Sequence, residues 1–454
     1  MSKLKLRESQ KVALERLCEP DRKIGALWAE PRSGKTAVAL KWIEHVNPKV
    51  AVIVAPKVAE SVWRVEAAKW LTIPYRYHPL TAGNEYPSLT PFEGVTLLFV
   101  NYEQFAKAPY KRLKPFLWQA AIYAGGHGAM LLDESHMIKT PSSVIGRNIR
   151  PLYRSWEYRL LMTGTAVTNP SQIDAVYGQW TFLDPSIRDK WPTARDFREY
   201  FGEWTTYKGF PELVRPIRQY ELNAFIQPNV ITMTGPKSTL KTVLYRYAAP
   251  EEVLKLEKDM LKEGLVEVDG HTVLGLNPLT RLLRMRTMIA GWAKDEYDES
   301  FTIKPARDAR IKALGRVLKR TEGKVIIACT HLHEVRMVAS YLDSKGIKHL
   351  QIQGSTKDKN LVIEKFQHGA SKVLIVQPRT VAMAVDISVA NDLIWYSSDF
   401  NYVTFKQASD RIKLSPNNPR VWFMCAKGSV DEDVWITLRK DHSHLKQVVR
   451  RIKQ

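Results

Sequence analysis

The sequence WAEPRSGKT occupies residues 28–36, and its last eight residues fit the phosphate-loop pattern GxxxxGK[ST] except at the first position, where Ala29 replaces glycine. A loop of this kind points backbone N–H groups at a phosphate beside a helix N-terminus, where the helix dipole also favours an anion. Lys35 is expected to reach the β- and γ-phosphates, and the Thr36 hydroxyl is expected to ligate Mg²⁺. The residues expected to contact the nucleotide in this loop are Arg32, Ser33, Gly34, Lys35 and Thr36.

The residues around the loop have the order that such a site requires. Residues 24–28 are short and apolar, as in a buried strand, and residues 37–46 (AVALKWIEHV) carry apolar side chains at helical spacing. A second apolar strand, residues 130–136 (MLLDESH), ends in Asp133 and Glu134. Asp133 would hold Mg²⁺ directly or through water, and Glu134 would position and deprotonate the attacking water. The two motifs together predict a nucleotide hydrolase.

Length and composition describe an ordinary globular protein. At 454 residues, with 44% hydrophobic and 25% charged residues, the chain is long enough for two or three domains. No apolar run approaches the roughly 20 residues that span a bilayer, and the first residues lack the apolar core of a signal peptide. A cytoplasmic location is expected, or a nuclear one in a eukaryote. The three cysteines are far apart and form no CxxC pair, as in a reducing compartment.

The charge balance points to a polyanionic partner. Sixty-eight basic residues against forty-seven acidic ones give a net charge of +21. Such a balance favours phosphate contacts and counterion release, so nucleic acid is the leading candidate. Solubility or attraction to a membrane surface would also explain a basic chain, and the charge alone does not separate these possibilities.

Short apolar runs typical of buried parallel strands alternate with helical patterns over most of the chain. These runs are residues 24–28, 50–55, 95–100, 130–136, 158–162, 324–330, 349–353, 372–377, 392–396 and 420–425. Polar residues gather where the strands end, as in open, doubly wound α/β domains whose ligands lie along that edge. Residues 236–305 interrupt this rhythm and are expected to form a mostly helical connection between two lobes. No second phosphate loop follows in the sequence.

The ordered motifs AEPRSGKT, VIVAPK, FVNYEQF, LLDESH and LLMTGTAVTN resemble the first motor domain of superfamily two helicases, and most closely that of the SWI/SNF-type DNA translocases. Residues 407–414 (QASDRIKL) are similar to the last motif of that family, QAxxRxxR, with Arg411 at the first arginine and Leu414 in place of the second. Residues 377–387 (QPRTVAMAVDI) match a further motif at Arg379, with alanines where glycines are usual. The compact size and these altered motifs are similar to those of phage members.

The resemblance implies a particular architecture and activity. Two RecA-like lobes of doubly wound parallel sheet would comprise residues 1–235, which bind ATP, and residues 306–454, which end in a basic tail, with residues 236–305 as a helical linker. ATP and Mg²⁺ would be the cofactors of a motor that translocates on duplex DNA. Lys35, Glu134 and Arg411 would be catalytic, with Arg411 as a finger that stabilises charge on the transferring phosphoryl group.

Further residues receive roles from the same resemblance. Gln10 precedes the first strand, and its amide offers one donor and one acceptor to an adenine edge; a surface glutamine at a helix start is the alternative. The residues expected to couple nucleotide state to movement are Thr163, Gly164, Thr165 and Gln407. The residues expected to line the nucleic-acid face are Pro56, Lys57, Asn101, Tyr102, Thr330 and Arg379.

Two other functions stay open at this point. One is a strand-separating helicase on DNA or RNA. The other is a non-catalytic DNA-binding protein on a decayed motor fold, for which Leu414 and the alanine substitutions argue. The expected partner is DNA, gripped by its backbone and therefore largely without sequence preference, and other replication or repair proteins are further possible partners.

Overall fold

The computed structural model separates into two compact units, Met1–Pro236 and Lys237–Gln454. The residues that the structure describes are 5–30, 32–81, 85–164, 173–207, 210–236, 239–356, 358–378, 387–415 and 418–440. Two residues that the sequence assigned to the site, Thr165 and Arg379, lie outside these ranges.

The first unit contains nine described strands and nine described α-helices. The strands are β1 Ile24–Ala29, β2 Val50–Ala55, β3 Tyr75–Leu80, β4 Val95–Asn101, β5 Gly128–Asp133, β6 Tyr158–Thr163, β7 Gly202–Tyr207, β8 Phe210–Pro216 and β9 Val230–Met233. The helices are α1 Glu8–Leu17, α2 Lys35–Val46, α3 Glu60–Trp70, α4 Lys107–Ala124, α5 Val144–Ile149, α6 Ile173–Leu183, α7 Ile187–Lys190, α8 Ala194–Phe201 and α9 Gln219–Ile226.

A seven-stranded sheet in the order β3-β4-β2-β5-β6-β1-β9 forms the centre of this unit. All of its neighbouring strands are parallel, so their carboxyl ends meet at one edge. Every residue of β2 and β5 is buried, which explains why these strands are continuous apolar runs rather than alternating ones. The sheet edge reached by Ala29, Asn101, Asp133 and Thr163 is the edge at which the sequence predicted ligand binding.

The second unit contains ten described strands and seven described α-helices. The strands are β10 Lys241–Tyr247, β11 Leu265–Val268, β12 His271–Leu274, β13 Trp292–Lys294, β14 Ser300–Thr302, β15 Lys324–Ala328, β16 His349–Ile352, β17 Val373–Val376, β18 Ala390–Trp395 and β19 Arg420–Ala426. The helices are α10 Glu251–Glu263, α11 Pro278–Ala290, α12 Lys304–Leu318, α13 Leu332–Ser344, α14 Lys359–His368, α15 Tyr402–Ser409 and α16 Val430–Lys440.

Six of these strands form a second parallel sheet in the order β10-β19-β18-β15-β17-β16. Alternate residues of its central strand β15 enter different cores, because successive side chains of a strand point to opposite faces. Val325 and Ile327 belong to the core that includes residues of α10 to α13. Ile326 belongs to the core of the other face, together with Phe366 and Leu438. The expected fold of two doubly wound parallel sheets is confirmed.

Residues 236–305 differ from the helical connection that the sequence suggested. They contain α10 and α11, but also β10, which pairs in parallel with β19 and is the edge strand of the second sheet. Val253 and Met288 belong to the same core as Val325. The segment is therefore part of the second unit. The lysines that precede β10 suggested a linker, and its strand partner lies far away in the sequence, so no local pattern indicated the pairing.

A buried arginine ties the second unit together. Arg310 on α12 is almost fully buried and donates to the backbone oxygen of Tyr396, to the Tyr247 hydroxyl at 2.9 Å and to Oδ2 of Asp431 at 2.8 Å. Its partners stand on or next to β18, β10 and α16, so one side chain joins α12 to two strands of the sheet and to the helix α16. Within the described residues, no helix is both long and apolar enough to cross a membrane.

Candidate active site

Three charged side chains meet at the carboxyl edge of the first sheet. Lys35 is the first residue of α2, directly after the loop that follows β1, and Asp133 and Glu134 stand at the end of β5. The Lys35 ammonium lies 2.6 Å from Oε1 of Glu134 and 3.0 Å from Oδ1 of Asp133. Ion pairs therefore join two motifs that lie about a hundred residues apart in the sequence and that both stand at strand ends.

Burial and charge act in opposite directions on these groups. Burial disfavours the charged form of Lys35, but the carboxylates of Asp133 and Glu134 outweigh it and hold the pKa of Lys35 above its usual value. Burial also works against the Glu134 carboxylate, yet the charge of Lys35 and the contact with His136 hold the pKa of Glu134 well below its usual value. Lys35 and Glu134 are therefore both charged at neutral pH.

Asp133 is oriented by groups from three directions. The Trp63 indole on α3 donates to its Oδ2 at 3.2 Å, and the backbone N–H of Glu134 donates to its Oδ1 at 3.0 Å. The Tyr102 hydroxyl donates to the backbone oxygen of Asp133 at 2.8 Å. These contacts fix both the strand end and the carboxylate, which is the preorganisation that a metal-holding carboxylate needs.

The position of Tyr102 corrects its predicted role. Its side chain is 0% exposed, because the chain turns after β4 into a short 3-10 helix, Tyr102–Phe105, that places the ring beneath the sheet edge. Burial raises its pKa well above the usual value, with Asp133 and Glu134 adding to the effect, so the hydroxyl stays protonated and remains a donor. Tyr102 therefore supports the Asp133 strand end and does not lie on a nucleic-acid face.

The other residues predicted for that face in the first unit have different surroundings. Lys57 is exposed, and Pro56 before it is half-buried. Asn101 is half-buried, and its side-chain oxygen accepts the backbone N–H of Gln104 at 3.2 Å, so it caps the 3-10 helix. Lys57 is the charged residue among these three, and its side chain is exposed to solvent.

Two residues of the loop between β1 and α2 have a left-handed backbone. Arg32 and Gly34 have φ of 64° and 80°. Left-handed residues in a loop of this kind help to turn N–H groups towards one point, where an anion can bind. Ser33 Oγ is buried and has no hydrogen-bond partner among the described residues, so the loop holds a polar group that a ligand can satisfy.

Helix α1 supports this loop from outside. Gln10 is 4% exposed, which excludes the surface-glutamine alternative. Its Nε2 donates to the backbone oxygen of Ser33 at 3.0 Å, and its Oε1 accepts the N–H of Arg7 at 2.7 Å. Arg7 itself donates to the backbone oxygen of Arg32 at 3.2 Å and to that of Ser33. Adenine contact by Gln10 stays a prediction, and holding the loop carbonyls is the role visible in the structure.

The donor set fits a nucleotide-bound Mg²⁺ better than a metal held by protein alone. Among the described residues, no group of three or more His, Cys, Asp and Glu side chains could hold a metal ion. Asp133 and the half-buried Thr36 therefore offer few ligands of their own. Mg²⁺ that is bound through one or two protein groups usually takes its remaining ligands from phosphates and water.

Thr163 and Gly164 lie at the same edge as the charged cluster. Thr163 is the last residue of β6 and is fully buried. It lies opposite Trp28 of β1, and Trp28 comes two residues before Glu30. Gly164 follows it and is half-buried. The position of Thr163 next to the strand that leads into the phosphate loop is compatible with the predicted coupling role, which stays a prediction.

The predicted residues of the second unit lie on two segments. The Thr330 backbone N–H after β15 donates to Oε2 of Glu334 at 2.9 Å and to Oγ of Ser397 at 3.0 Å. Gln407 is half-buried on α15, and Arg411 is half-buried on the following 3-10 helix, Asp410–Ile412. The last two residues are thus close in the chain and share one surface segment of this unit.

Sequence reasoning missed three side chains of the first site: Arg7, Trp63 and His136. Trp63 is buried in the core, and its indole donates to Asp133. His136 Nδ1 lies 3.3 Å from Oε2 of Glu134. Of these three residues, only Arg7 had a signal in the local sequence. Arg7 is the N-cap of α1 and Gln10 follows it by three residues, which is the capping-box pattern in which the N-cap N–H donates to the glutamine side chain.

Comparisons with known proteins agree with the motifs. The family model described as the helicase conserved C-terminal domain matches residues 309–413. The chain is 22% identical over 430 residues to an ISWI chromatin-remodeling complex ATPase of Saccharomyces cerevisiae, which covers 87% of this chain and 35% of that protein. This chain is similar to the ATPases of chromatin-remodeling complexes of the ISWI and SWI/SNF types. A probable chromatin-remodeling complex ATPase chain of Oryza sativa subsp. japonica is a second relative, 22% identical over 348 residues, with 71% of this chain and 29% of that protein covered.

The chain thus spans about a third of the length of these two relatives. Among solved structures, the Sulfolobus solfataricus SWI2/SNF2 ATPase core in complex with dsDNA matches 98% of this chain and 93% of that one, at 17% identity and a TM-score of 0.42. The resemblance to superfamily two proteins of SWI/SNF type, predicted from the motifs, is confirmed by the relatives.

Proposed function

We propose that this chain is a motor that couples ATP hydrolysis to translocation along duplex DNA. The observation that carries the proposal is the contact of Lys35 with Asp133 and Glu134 beside a left-handed glycine loop, at the carboxyl edge of a parallel sheet. A net charge of +21 supports a polyanionic track, and two similar proteins are ATPases of chromatin-remodeling complexes.

Each residue of the first site has a distinct proposed task. Lys35 exchanges its carboxylate partners for phosphate oxygens and holds them. Asp133 and Thr36 hold Mg²⁺, and the released Glu134 orients the attacking water and accepts its proton. Bound MgATP supplies the phosphoryl group together with the cation that neutralises its charge.

The second unit contributes a positive charge to the same reaction in this proposal. Arg411 stabilises the charge that develops on the transferring phosphoryl group, which can be worth about a thousandfold or more in rate. Thr163, Gly164, Thr165 and Gln407 transmit the nucleotide state. Of these residues, the first three belong to the first unit, and Gln407 belongs with Arg411 to the second.

DNA is gripped through its phosphates, largely without regard to sequence, because the proposed contacts are charges and backbone groups rather than base readers. Lys57 is the best-supported contact, since it is exposed at the edge that holds the active site. Pro56, Asn101, Thr330 and Arg379 remain proposed members of this face. A strand-separating helicase would use the same ATP site, and no observation favours it over translocation.

Steady-state ATP hydrolysis tests the proposal directly. Wild type and Glu134→Gln are each assayed with no nucleic acid, single-stranded DNA, duplex DNA and RNA, at low and high salt. We expect duplex DNA to stimulate the wild type, high salt to weaken the stimulation, and Glu134→Gln to lose hydrolysis while still binding ATP. Glu103→Gln is the matched control, because Glu103 is an exposed carboxylate next to Tyr102 at the same edge.

Two results would contradict the proposal. Hydrolysis that survives in Glu134→Gln would remove this carboxylate from the reaction. A wild type that binds DNA but hydrolyses no ATP under any condition would leave a DNA-binding protein on a motor fold. Release of single strands from a forked duplex, driven by ATP, would instead replace translocation by strand separation.

A further inference from the structure

An exposed apolar face lies on α4 of the first unit. Trp118 is 59% exposed and Ile122 is 77% exposed, and their spacing of four residues places them on the same side of the helix. Beside them a groove of about 770 Å³ runs between α4 and the segment 86–89. Large apolar side chains that remain exposed next to a concave apolar surface are characteristic of a binding site rather than of ordinary protein surface.

The walls of this groove, hereafter the α4 groove, are held in place by specific contacts. The rings of Tyr86 and Phe116 have centroids 4.7 Å apart, and the Arg112 guanidinium lies over the Tyr86 ring at 4.9 Å. The Tyr123 hydroxyl donates to the backbone oxygen of Thr90 at 2.9 Å. Both ends of the segment are thus fastened to α4, so the groove exists before any partner binds, which lowers the entropic cost of binding.

The charged residues of α4 all have the same sign. The eighteen residues of α4 contain four basic side chains and no acidic one. Lys111 and Lys114 are exposed, and neither forms an ion pair with a carboxylate among the described residues. Trp118 follows Lys114 by four residues and precedes Ile122 by four, so a basic half-face continues into an apolar half-face along the helix. An occupant that satisfies both halves carries apolar anchors and carboxylates.

The α4 groove lies away from the candidate active site. The helix begins shortly after Asn101, at the carboxyl end of β4, and ends at Ala124, shortly before β5 begins. It therefore runs from the carboxyl edge of the sheet to the amino edge. Ile122 belongs to its last turn and is at the opposite edge from Asp133. The groove can be occupied without competing for the phosphate loop.

We propose that the α4 groove binds an acidic amphipathic segment of a partner protein, which places apolar side chains against Trp118, Ile122 and Tyr86 and its carboxylates against Lys111 and Lys114. Grooves that take the apolar face of an amphipathic helix are a recurrent mode of peptide recognition. A second copy of this chain is a poorer occupant, because each copy carries a net charge of +21. The chain's own basic residues 439–453 have the same sign of charge as α4.

Binding of a designed peptide to the full chain tests this proposal. The probe is a fluorescent synthetic helix with leucine and phenylalanine at positions i, i+3, i+4 and i+7 and aspartate or glutamate on the other faces. The control probe has the same apolar positions and lysine in place of every acidic residue. Fluorescence anisotropy is expected to show binding of the acidic probe and at least tenfold weaker binding of the basic one.

Matched variants separate the α4 groove from general attraction to a basic protein. Trp118→Ala with Ile122→Ala is compared with Tyr220→Ala, which removes an exposed ring elsewhere in the same unit. We expect the first variant to weaken peptide binding at least tenfold and the second to leave it unchanged. All of these side chains are exposed, so folding is retained.

A double variant, Lys111→Glu with Lys114→Glu, tests the contribution of charge. Its control is Lys255→Glu with Lys258→Glu, which changes an exposed pair with the same spacing on α10. Only the α4 pair is expected to weaken binding. Equal loss from both lysine pairs, or unchanged affinity in Trp118→Ala with Ile122→Ala, would overturn the proposal. Tighter binding of single-stranded DNA than of the peptide, lost in that same double variant, would assign the groove to nucleic acid and also overturn it.

Discussion

The Lys35 ammonium lies 2.6 Å from Oε1 of Glu134, so the residue proposed to hold phosphate and the residue proposed to activate water neutralise each other across a largely buried contact. A phosphate oxygen that took the place of the carboxylate at Lys35 would leave Glu134 without its nearest cation. In the proposed reaction, nucleotide binding would therefore also free the general base. Glu134 would then be a stronger proton acceptor, because its contact with Lys35 holds its pKa well below the usual value.

The Lys35–Glu134 contact predicts a specific loss of stability in acid. Because the pKa of Glu134 is lowered in the folded chain, its carboxylate stabilises the fold above its unfolded pKa, and this contribution disappears as the pH falls towards the lower folded value. The stability advantage of the wild type over Glu134→Gln is therefore expected to be constant above about pH 5 and to shrink below about pH 4. Urea denaturation at a series of pH values measures the difference, and an advantage that grows on acidification would contradict it.

Tyr102→Phe distinguishes support of the active site from contact with DNA. The substitution leaves the buried backbone oxygen of Asp133 without its hydroxyl donor, so we expect the first unit to lose about 1–3 kcal/mol of stability and ATP hydrolysis to fall. DNA affinity in the absence of nucleotide should not change. Lys57→Ala is expected to do the reverse, weakening DNA binding and its salt dependence at unchanged stability. Loss of DNA affinity in Tyr102→Phe at full stability would restore the original assignment.

Gly34→Ala tests how closely the phosphate loop is fitted to α1. A Cβ at Gly34 would overlap the Gln10 amide nitrogen, in addition to the cost of about 1–2 kcal/mol for a left-handed alanine. Gly125→Ala is the matched control, because Gly125 has a φ of 63° but no atom within 4 Å of a new Cβ. Both variants should lose stability, and only Gly34→Ala should also lose ATP binding, which calorimetric titration with ATP can measure.

Leu414→Arg restores the second arginine of the pattern QAxxRxxR. Leu414 is 42% exposed, so the longer side chain requires no repacking of the core. If the altered motif limits the motor, DNA-stimulated hydrolysis should rise several-fold in Leu414→Arg, whereas Arg411→Ala should lower it by about a thousandfold. Thermal unfolding should be nearly unchanged in Leu414→Arg. An unaltered rate would mean that Arg411 suffices.

The sequence predicted the sheet edge better than the side chains that support it. Lys35, Asp133 and Glu134 could be placed together because each follows a continuous apolar run, and such runs are characteristic of parallel strands buried on both faces. Tyr102 could not be placed in this way. A residue just past a strand end can face solvent or turn beneath the sheet. Here the chain forms a short 3-10 helix, which turns the Tyr102 side chain beneath the sheet.

Contacts between distant parts of the chain also escaped prediction. Arg7 binds loop carbonyls twenty-five residues away, and β10 pairs with β19 from near the far end of the chain. The strand β10 consists mostly of exposed and half-buried residues, so it lacks the continuous apolar signal of the central strands. Pairing of this kind is decided by tertiary packing, which local propensity does not encode.

The indole of Trp63 gives α3 a direct connection to the carboxylate proposed to hold Mg²⁺. The same helix follows Lys57 after a short 3-10 turn, so the segment proposed to touch DNA and the group proposed to hold the metal are parts of one short covalent and hydrogen-bonded path. A displacement of α3 by DNA would reach Asp133 without crossing to the other unit. Coupling free energies are reciprocal. If bound DNA changes the affinity of the chain for the magnesium nucleotide by some factor, the bound nucleotide must change the affinity for DNA by the same factor. The first unit on its own would then already be an allosteric device.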